Sequence, residues 1–362
     1  MSVFVSTLSG AVFAGSTTQW QCIALVSIIC IQSSDNRKNL LAVFAFFLAA
    51  SAPVIVVAQS YNGSYTGAFI TYIVLVTVNA APLSIAVTQL IIPKWIAIPL
   101  TFVLLSLPPL SWINPLSLAP LAGWMFPETG YIGLVALSLL IVGLCMSKYV
   151  RYPIAAVATV ATMASSPSLA NPLETEQSIQ GVSIARPQTG DIEQGMYRTA
   201  YRFEELDMIN AMNARISVLP ESVFGEWVSS DGTNLSGARG DVYGGARRYI
   251  NDNEYINVVV DAKNGQVIYE QRNPPRVISN NGVVAVAGQG IVVNKEFNIV
   301  LCYELANPWI AADVFSQSKP VVWMSNLSWS NTDFLERRML STLTAWSTLF
   351  GVPVQAAVMR HA

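Results

Sequence analysis

Ile299-Val300-Leu301-Cys302-Tyr303-Glu304 is an apolar run that ends on a cysteine and then turns polar. A second run of the same form, Ile216-Ser217-Val218-Leu219-Pro220-Glu221-Ser222, lies upstream and ends on a carboxylate. Short β-branched runs of this kind read as buried strands, with the reactive residue placed where each strand stops. The single histidine, His361, sits one residue from the end of the sequence. A Cys/His pair is therefore not on offer, and thiol chemistry here must take its base from a carboxylate.

Working outward, the 362 residues are 52% hydrophobic and 12% charged, with a net charge of −2 and a mean hydropathy of +0.45. An ordinary soluble domain is about 25% charged, so part of this chain is expected in lipid. Ahead of Lys148 the charged residues are Asp35, Arg37, Lys38, Lys94 and Glu128, and nearly all the others follow Leu173. The chain reads as a membrane part over residues 1–166, a Ser/Pro/Ala linker over 167–178 and a globular domain over 179–362. The net charge gives no reason to expect direct contact with nucleic acid. Cys22, Cys30 and Cys145 fall in apolar stretches and behave as small hydrophobes, which leaves Cys302 no disulfide partner in the globular part.

About 20 apolar residues cross the hydrocarbon of a bilayer as a helix. Leu40 to Gln59, Ala68 to Ile92, Trp95 to Trp112 and Tyr131 to Met146 meet or approach that length. Val3 to Ala14 and Trp20 to Ile31 form either a tight helical hairpin or one broken span, and they lack the basic start of a cleaved signal peptide. Arg37-Lys38, Lys94 and Lys148/Arg151 fall in every second loop, which places those loops in the cytoplasm. If Ile154 to Ala164 also spans, the globular domain lies in the periplasm, outside a bacterial inner membrane. If it does not, the domain is cytoplasmic, and the loop phase favours the first. The spans carry no ionisable residue near midplane, which argues against a transporter.

In the globular part, Ile179 to Ala185, Arg215 to Leu219, Val283 to Val293, Phe297 to Cys302 and Val321 to Met324 read as strands. Tyr255 to Asp261 and Gln266 to Glu270 flank Lys263-Asn264-Gly265, a strong hairpin turn. Met196 to Ala214 and Phe334 to Phe350 read as helices. Strands alternate with helices and pair as hairpins, so the domain is an α/β sandwich. The glycine-rich stretch Gly237 to Gly245 lacks a phosphate-loop lysine and is expected to be a loop. Arg247-Arg248 and Arg337-Arg338 read as solvated or paired surface charges, and Trp323, Trp329 and Trp346 as core.

The segment around Glu221 resembles the glutamate motif of the nitrilase (carbon–nitrogen hydrolase) superfamily. The segment around Cys302 resembles its cysteine motif in the form found in apolipoprotein N-acyltransferases. Ser325-Asn326-Leu327-Ser328-Trp329 is similar to the Asn-x-x-Trp segment that follows the cysteine strand. Asn114-Pro115 and Phe126-Pro127-Glu128-Thr129-Gly130 resemble a membrane-half loop of plasmid conjugal-transfer TraB proteins, which belong to this group.

The resemblance implies a multi-span helical membrane domain followed by a nitrilase-like αββα sandwich. It implies Cys302 as nucleophile, Glu221 as general base, Glu304 as a glutamate close to the cysteine, and Asn326 and Trp329 at the substrate pocket. It implies no metal or cofactor. Its substrates would be a phospholipid or lipoprotein acyl group, and its partners other conjugal-transfer proteins. The family's oxyanion lysine has no match: the chain reads Tyr269-Glu270-Gln271-Arg272-Asn273-Pro274-Pro275, with Arg272 the nearest cation and the provisional holder of that role. The departure leaves two readings open, an acyl transferase acting through a Cys302 thioester and an inactive scaffold of the conjugation machinery.

Overall fold

The computed structural model describes residues 36–88, 92–105, 118–144, 179–186, 214–226, 238–274, 283–293, 295–330 and 332–361, with a few isolated positions between them. The chain divides into two units, one of residues 1–170, 306–312 and 332–351, the other of residues 171–305, 313–331 and 352–362.

The first unit is helical. Its described helices are α1 (Asn36–Ser51), α2 (Val54–Asn62), α3 (Tyr65–Thr88), α4 (Lys94–Leu105), α5 (Leu118–Met125) and α6 (Tyr131–Leu144). Two later helices follow, α7 (Pro308–Phe315), which crosses the border between the units, and α8 (Phe334–Phe350), which belongs to this unit. Among the described residues helix α3 alone is long and apolar enough to cross a membrane, and its 24 residues span about 36 Å at about 1.5 Å each. Helices α1 and α2 pass the same test only together, bent by 48° at the break that holds Pro53. Pro removes a backbone donor and clashes with the preceding turn, which accounts for the bend.

Helix α3 is apolar on both sides. Phe69, Ile70, Ile73, Val74 and Ile85 are exposed, while Tyr72, Leu75, Val76, Leu83 and Val87 are buried together with Ala68, Asn79, Ala80 and Ser84. A row of large apolar side chains left on the outside marks a surface for lipid or for another protein. The expected spans Leu40 to Gln59, Ala68 to Ile92, Trp95 to Trp112 and Tyr131 to Met146 thus correspond to α1 with α2, α3, α4 and α6, the last two being shorter than a full crossing as described. The expected N-terminal segments, Ile154 to Ala164 and Asn114-Pro115 lie outside the described residues or barely touch them.

The loop Phe126–Gly130 caps α8. The Glu128 amide donates to Thr348 O at 2.7 Å and the Gly130 amide to Leu349 O at 2.7 Å, satisfying carbonyls that a helix C-terminus leaves unpaired. Helix α5 packs on α8 through Gly123, where any Cβ would run into the Ala345 carbonyl.

The second unit is a two-sheet sandwich. Its strands are β1 (Ile179–Gly181), β2 (Ile184–Arg186), β3 (Ile216–Val218), β4 (Asp241–Asn251), β5 (Glu254–Asp261), β6 (Val267–Glu270), β7 (Val284–Ala285), β8 (Gly290–Ile291), β9 (Asn298–Leu301), β10 (Val321–Asn326) and β11 (Val354–His361). One sheet runs β1-β3-β4-β5-β6-β8, with β7 paired to β5, and the other runs β2-β11-β10-β9 with all strands parallel. Val218, Tyr243, Val259 and Tyr269 of the first sheet pack with Ile299, Leu301, Val322 and Met324 of the second in one core. Val258 and Val260 point the other way, as the two-residue period of a strand requires, and pack with Leu219, Phe224 and Met359.

The hairpin at Lys263-Asn264-Gly265 forms as expected between β5 and β6. Three expectations are corrected. The run Ile179 to Ala185 is two strands in different sheets, because β1 pairs with β3 and β2 with β11. Val283 to Val293 is two short strands rather than one. The glycine-rich stretch is largely strand: β4 begins at Asp241 and carries Gly244 and Gly245 within the sheet. A Cβ on Gly245 would sit 2.6 Å from Glu221 Cα and Ser222 N, and one on Gly244 would strike the Phe224 ring. These glycines are there because another stretch of backbone lies directly on the strand. The Gly245 amide donates to Pro220 O at 3.1 Å and the Phe224 amide to Gly245 O at 3.0 Å, which fastens that stretch down.

Replacing Gly245 with alanine therefore pushes the Glu221 turn off the sheet. Thermal unfolding of the detergent-solubilised protein is expected to show a loss of about 1–3 kcal/mol, with slower alkylation of Cys302 alongside it.

Candidate active site

Glu221 follows β3 and Cys302 follows β9, so the two come from the C-terminal ends of strands in different sheets. Sheet packing brings them together. The expected strand Phe297 to Cys302 ends one residue early, at Leu301, and Cys302 opens a 3-10 turn, Cys302–Ala306. Its φ is 45°, and Ser222, the residue after Glu221, has φ 62°. Left-handed backbone at a non-glycine residue costs about 1–3 kcal/mol, and such strain concentrates at functional sites. The Cys302 turn is braced by the Trp323 indole, whose Nε1–H donates to Cys302 O at 3.3 Å.

The Glu221 carboxylate is buried, and β10 holds it beside Cys302: Ser325 lies 3.6 Å from the thiol and its neighbour Asn326 binds the carboxylate. Its Oε2 accepts from the Asn326 amide at 3.1 Å and its Oε1 from Asn257 Nδ2 at 3.2 Å. Burial pushes the Glu221 pKa up to about 7, outweighing those donors and the charge of Arg247. The Cys302 thiol lies well above its ordinary value, chiefly through burial and then through the Glu221 charge. The Ser325 hydroxyl, 3.6 Å from Sγ, and the Tyr303 amide act in the opposite direction. At neutral pH the thiol is protonated and Glu221, raised to about 7, stands near the midpoint of its own titration.

Glu304 is fully buried, and its role is structural. Oε2 accepts from the Tyr269 hydroxyl at 2.7 Å and from the Leu301 amide at 3.0 Å; Oε1 accepts from the amides of Arg272 at 2.6 Å and Asn273 at 3.3 Å. One carboxylate thus joins the end of β6 to the end of β9, one residue from the nucleophile. Burial raises its pKa against those donors.

Arg272 contributes to this network through its backbone. Its guanidinium pairs with Asp313 at 2.7 Å, and its Nε is buried without a hydrogen-bond partner. Its neighbour Gln271, fully buried, accepts from Asn257 Nδ2 at 2.8 Å and donates to Leu301 O at 3.3 Å, which links Asn257 on the Glu221 carboxylate to the strand end before Cys302. Sequence reasoning passed over Gln271 and Asn257. The signal lay in strand alternation: on β6 Tyr269 faces the inter-sheet core, and Gln271, two residues on, follows it to the same side. Asn326 spends its side chain on its own turn, accepting from the Ser328 amide and hydroxyl, and Trp329 Nε1–H donates to Asn326 O at 2.9 Å. Trp329 is half-buried. Arg248 of the expected surface pair binds Glu270 at 2.5 Å, and Arg247 lies over the Tyr255 ring. Among the described residues no cluster of His, Cys, Asp and Glu could hold a metal ion.

Two outcomes follow for the bench. Glu221 is a base only when ionised, so the rate of Cys302 alkylation by iodoacetamide should fall as pH drops through about 7, and Glu221→Gln should remove that inflection. The sign for stability is opposite: a carboxylate raised from 4.5 to about 7 favours the fold at low pH and loses that contribution as pH rises through about 7. Glu304→Ala strands several buried donors and is expected to cost about 3–5 kcal/mol in thermal or denaturant unfolding.

No protein-family model and no curated protein matches the chain. Solved structures do. One is a cysteine-to-alanine mutant of an amidase of the nitrilase superfamily from Nesterenkonia AN1, 13% identical with a TM-score of 0.36, covering 50% of this chain and 74% of that one. Another is a glutamate-to-glutamine mutant of the amidase from Nesterenkonia sp. AN1, with the acetamide moiety of fluoroacetamide added covalently at its active-site cysteine; it is 12% identical, with the same TM-score and coverage. Its structural neighbours are thus amidases of the nitrilase superfamily, similar over half of this chain.

Proposed function

We propose that the sandwich carries a carboxylate-assisted cysteine acyl-transfer site, in a membrane-anchored protein of plasmid conjugal transfer. The observation that carries the chemistry is that adjacent residues of β10 hold both groups, the Ser325 hydroxyl lying 3.6 Å from Cys302 Sγ and the Asn326 amide donating to the buried Glu221 Oε2 at 3.1 Å. Cys302 Sγ attacks the carbonyl carbon of an acyl donor while Glu221 takes the thiol proton. The resulting oxyanion calls for hydrogen-bond donors at the carbonyl oxygen. Glu221 then returns the proton to the leaving group, and the thioester passes its acyl group to an amine or to water. A phospholipid is the donor that suits a protein with a lipid-facing helix, and a lipoprotein amine is the matching acceptor.

The membrane reading rests on the length and apolar composition of α3. An inner-membrane location with the sandwich in the periplasm rests on the alternation of basic loops, and the conjugation role on the sequence resemblance of the Phe126–Gly130 loop. Glu304 and Asn326 hold the pair in place, and Trp329, bonded to Asn326 O through its indole, is a candidate wall of the acyl pocket.

A second reading, an inactive scaffold for other transfer proteins, is favoured by one observation. The side chain that links Asn257, at the Glu221 carboxylate, to Leu301 O ahead of Cys302 is the uncharged Gln271.

Membranes incubated with a labelled phospholipid are expected to yield a hydroxylamine-sensitive label on the protein that Cys302→Ala abolishes. No label on wild type, together with full conjugation by Cys302→Ala, would establish the scaffold instead. A cysteine placed in the linker near Ser166 should react with an impermeant reagent from the periplasmic side; labelling only from the cytoplasm would reverse the topology.

A further inference from the structure

Strand β10 holds Cys302 at both ends of the residue. Trp323 and Ser325, two positions apart, point to the same side of the strand, while Val322 and Met324 go to the inter-sheet core. The Trp323 indole donates to the Cys302 carbonyl oxygen at 3.3 Å, and the Ser325 hydroxyl donates to Sγ of the same residue at 3.6 Å, within reach of a sulfur acceptor. The next residue, Asn326, gives its amide to Glu221.

Ser325 is the odd member of this strand. It is 0% exposed and follows Val321-Val322-Trp323-Met324, all of them fully buried and hydrophobic. Taking a hydroxyl out of water costs stability unless it is well hydrogen-bonded. Serine has one proton to donate, and here it goes to sulfur, a weak acceptor while the thiol is neutral. Alanine would fill the position with no hydroxyl to satisfy, so the fold alone gives no reason for serine. Charge on the sulfur reverses the balance. A hydrogen bond to an ionised acceptor is roughly twice as strong as one to a neutral acceptor. An interaction that strengthens as charge develops lowers the barrier instead of merely holding the ground state.

We propose that Ser325 is a catalytic hydroxyl, carried at a cost to the fold because it donates to the Cys302 sulfur as that sulfur becomes a thiolate. The proposal rests on the acyl-transfer reading and adds a residue to its site. In the step concerned, the thiol proton passes to a Glu221 oxygen and the sulfur electron pair forms the S–C bond. Ser325 keeps its own proton throughout. The demand for such a donor is built into the site: burial and the Glu221 charge both oppose charge on the sulfur, and the Ser325 hydroxyl leads the groups that favour it.

The test is Ser325→Ala in the full detergent-solubilised chain, compared with wild type at a pH above the titration of Glu221. Mass spectrometry of the Cys302 peptide reads its alkylation by iodoacetamide, and a thermal melt reads stability. Alkylation is expected to slow by at least about threefold and up to about tenfold, the equivalent of one pKa unit on the thiol. The thermal midpoint is expected to stay level or rise. Alanine is smaller than serine and does not narrow the way to the sulfur, and a loosened site would expose the thiol and speed its alkylation. The sign of the change therefore separates a lost donor from damaged packing. A loss smaller than about threefold, or a faster rate, overturns the catalytic role. A lower midpoint also overturns the proposal, because the hydroxyl would then have a structural reason to be there. Alkylation consumes no acyl donor, so the outcome is separable from phospholipid labelling. If wild type takes no label yet Ser325→Ala alkylates more slowly by that margin, the acyl-transfer reading falls and the sulfur donor stands.

Discussion

Burying a carboxylate costs several kcal/mol unless its oxygens are satisfied, and the geometry of the site depends on how Glu304 meets that demand. Its two oxygens take the Tyr269 hydroxyl and the amides of Leu301, Arg272 and Asn273. Three of those donors are main-chain groups at the ends of β6 and β9, so the carboxylate fixes backbone rather than side chains. With both strand ends held, Cys302 has no freedom to relax from φ 45°, and Gln271 is delivered to the same side as Tyr269.

The reactive pair is strained and low in compensating charge. Two carboxylates and a thiol lie close together in the interior, and the charge of Glu304 adds to the burial that raises Glu221. Glu221 is eased by the Asn326 amide and by the charge of Arg247. The Arg272 guanidinium pairs with Asp313 and leaves its Nε buried without a partner. Burial and the Glu221 charge hold the Cys302 thiol well above its ordinary value, so it rests protonated.

Glu221, Cys302, Glu304 and Asn326 were legible in the sequence because each stands at the end of an apolar run or in a short motif. Gln271 and Asn257 were not. An Asn in the middle of β5 and a Gln after β6 carry no local mark of function, and a reading tuned to charge passes to Arg272 instead. Gly244 and Gly245 misled for a related reason. Glycines favour loops by composition, yet here they clear room for the Glu221 turn on a buried strand, a demand set by a segment distant in the chain. The split of Ile179 to Ala185 between two sheets was hidden likewise, since pairing partners and not propensity decide where one strand stops and the next begins.

By itself the sequence determined the uneven spread of charge, the β5–β6 hairpin, the α8 helix and the candidacy of Cys302 and Glu221 as a thiol and its carboxylate. These follow from hydrophobic periodicity, turn residues and the position of the single histidine, all of them local or compositional. Only the tertiary structure decided that Glu221 and Cys302 meet, that Glu304 is a brace, that α8 joins the helical unit, and that Gln271 with Asn257 links the two strand ends. Those outcomes depend on the packing of two sheets whose strands are far apart in sequence, and side-chain direction across such an interface is set by register and burial rather than by residue type.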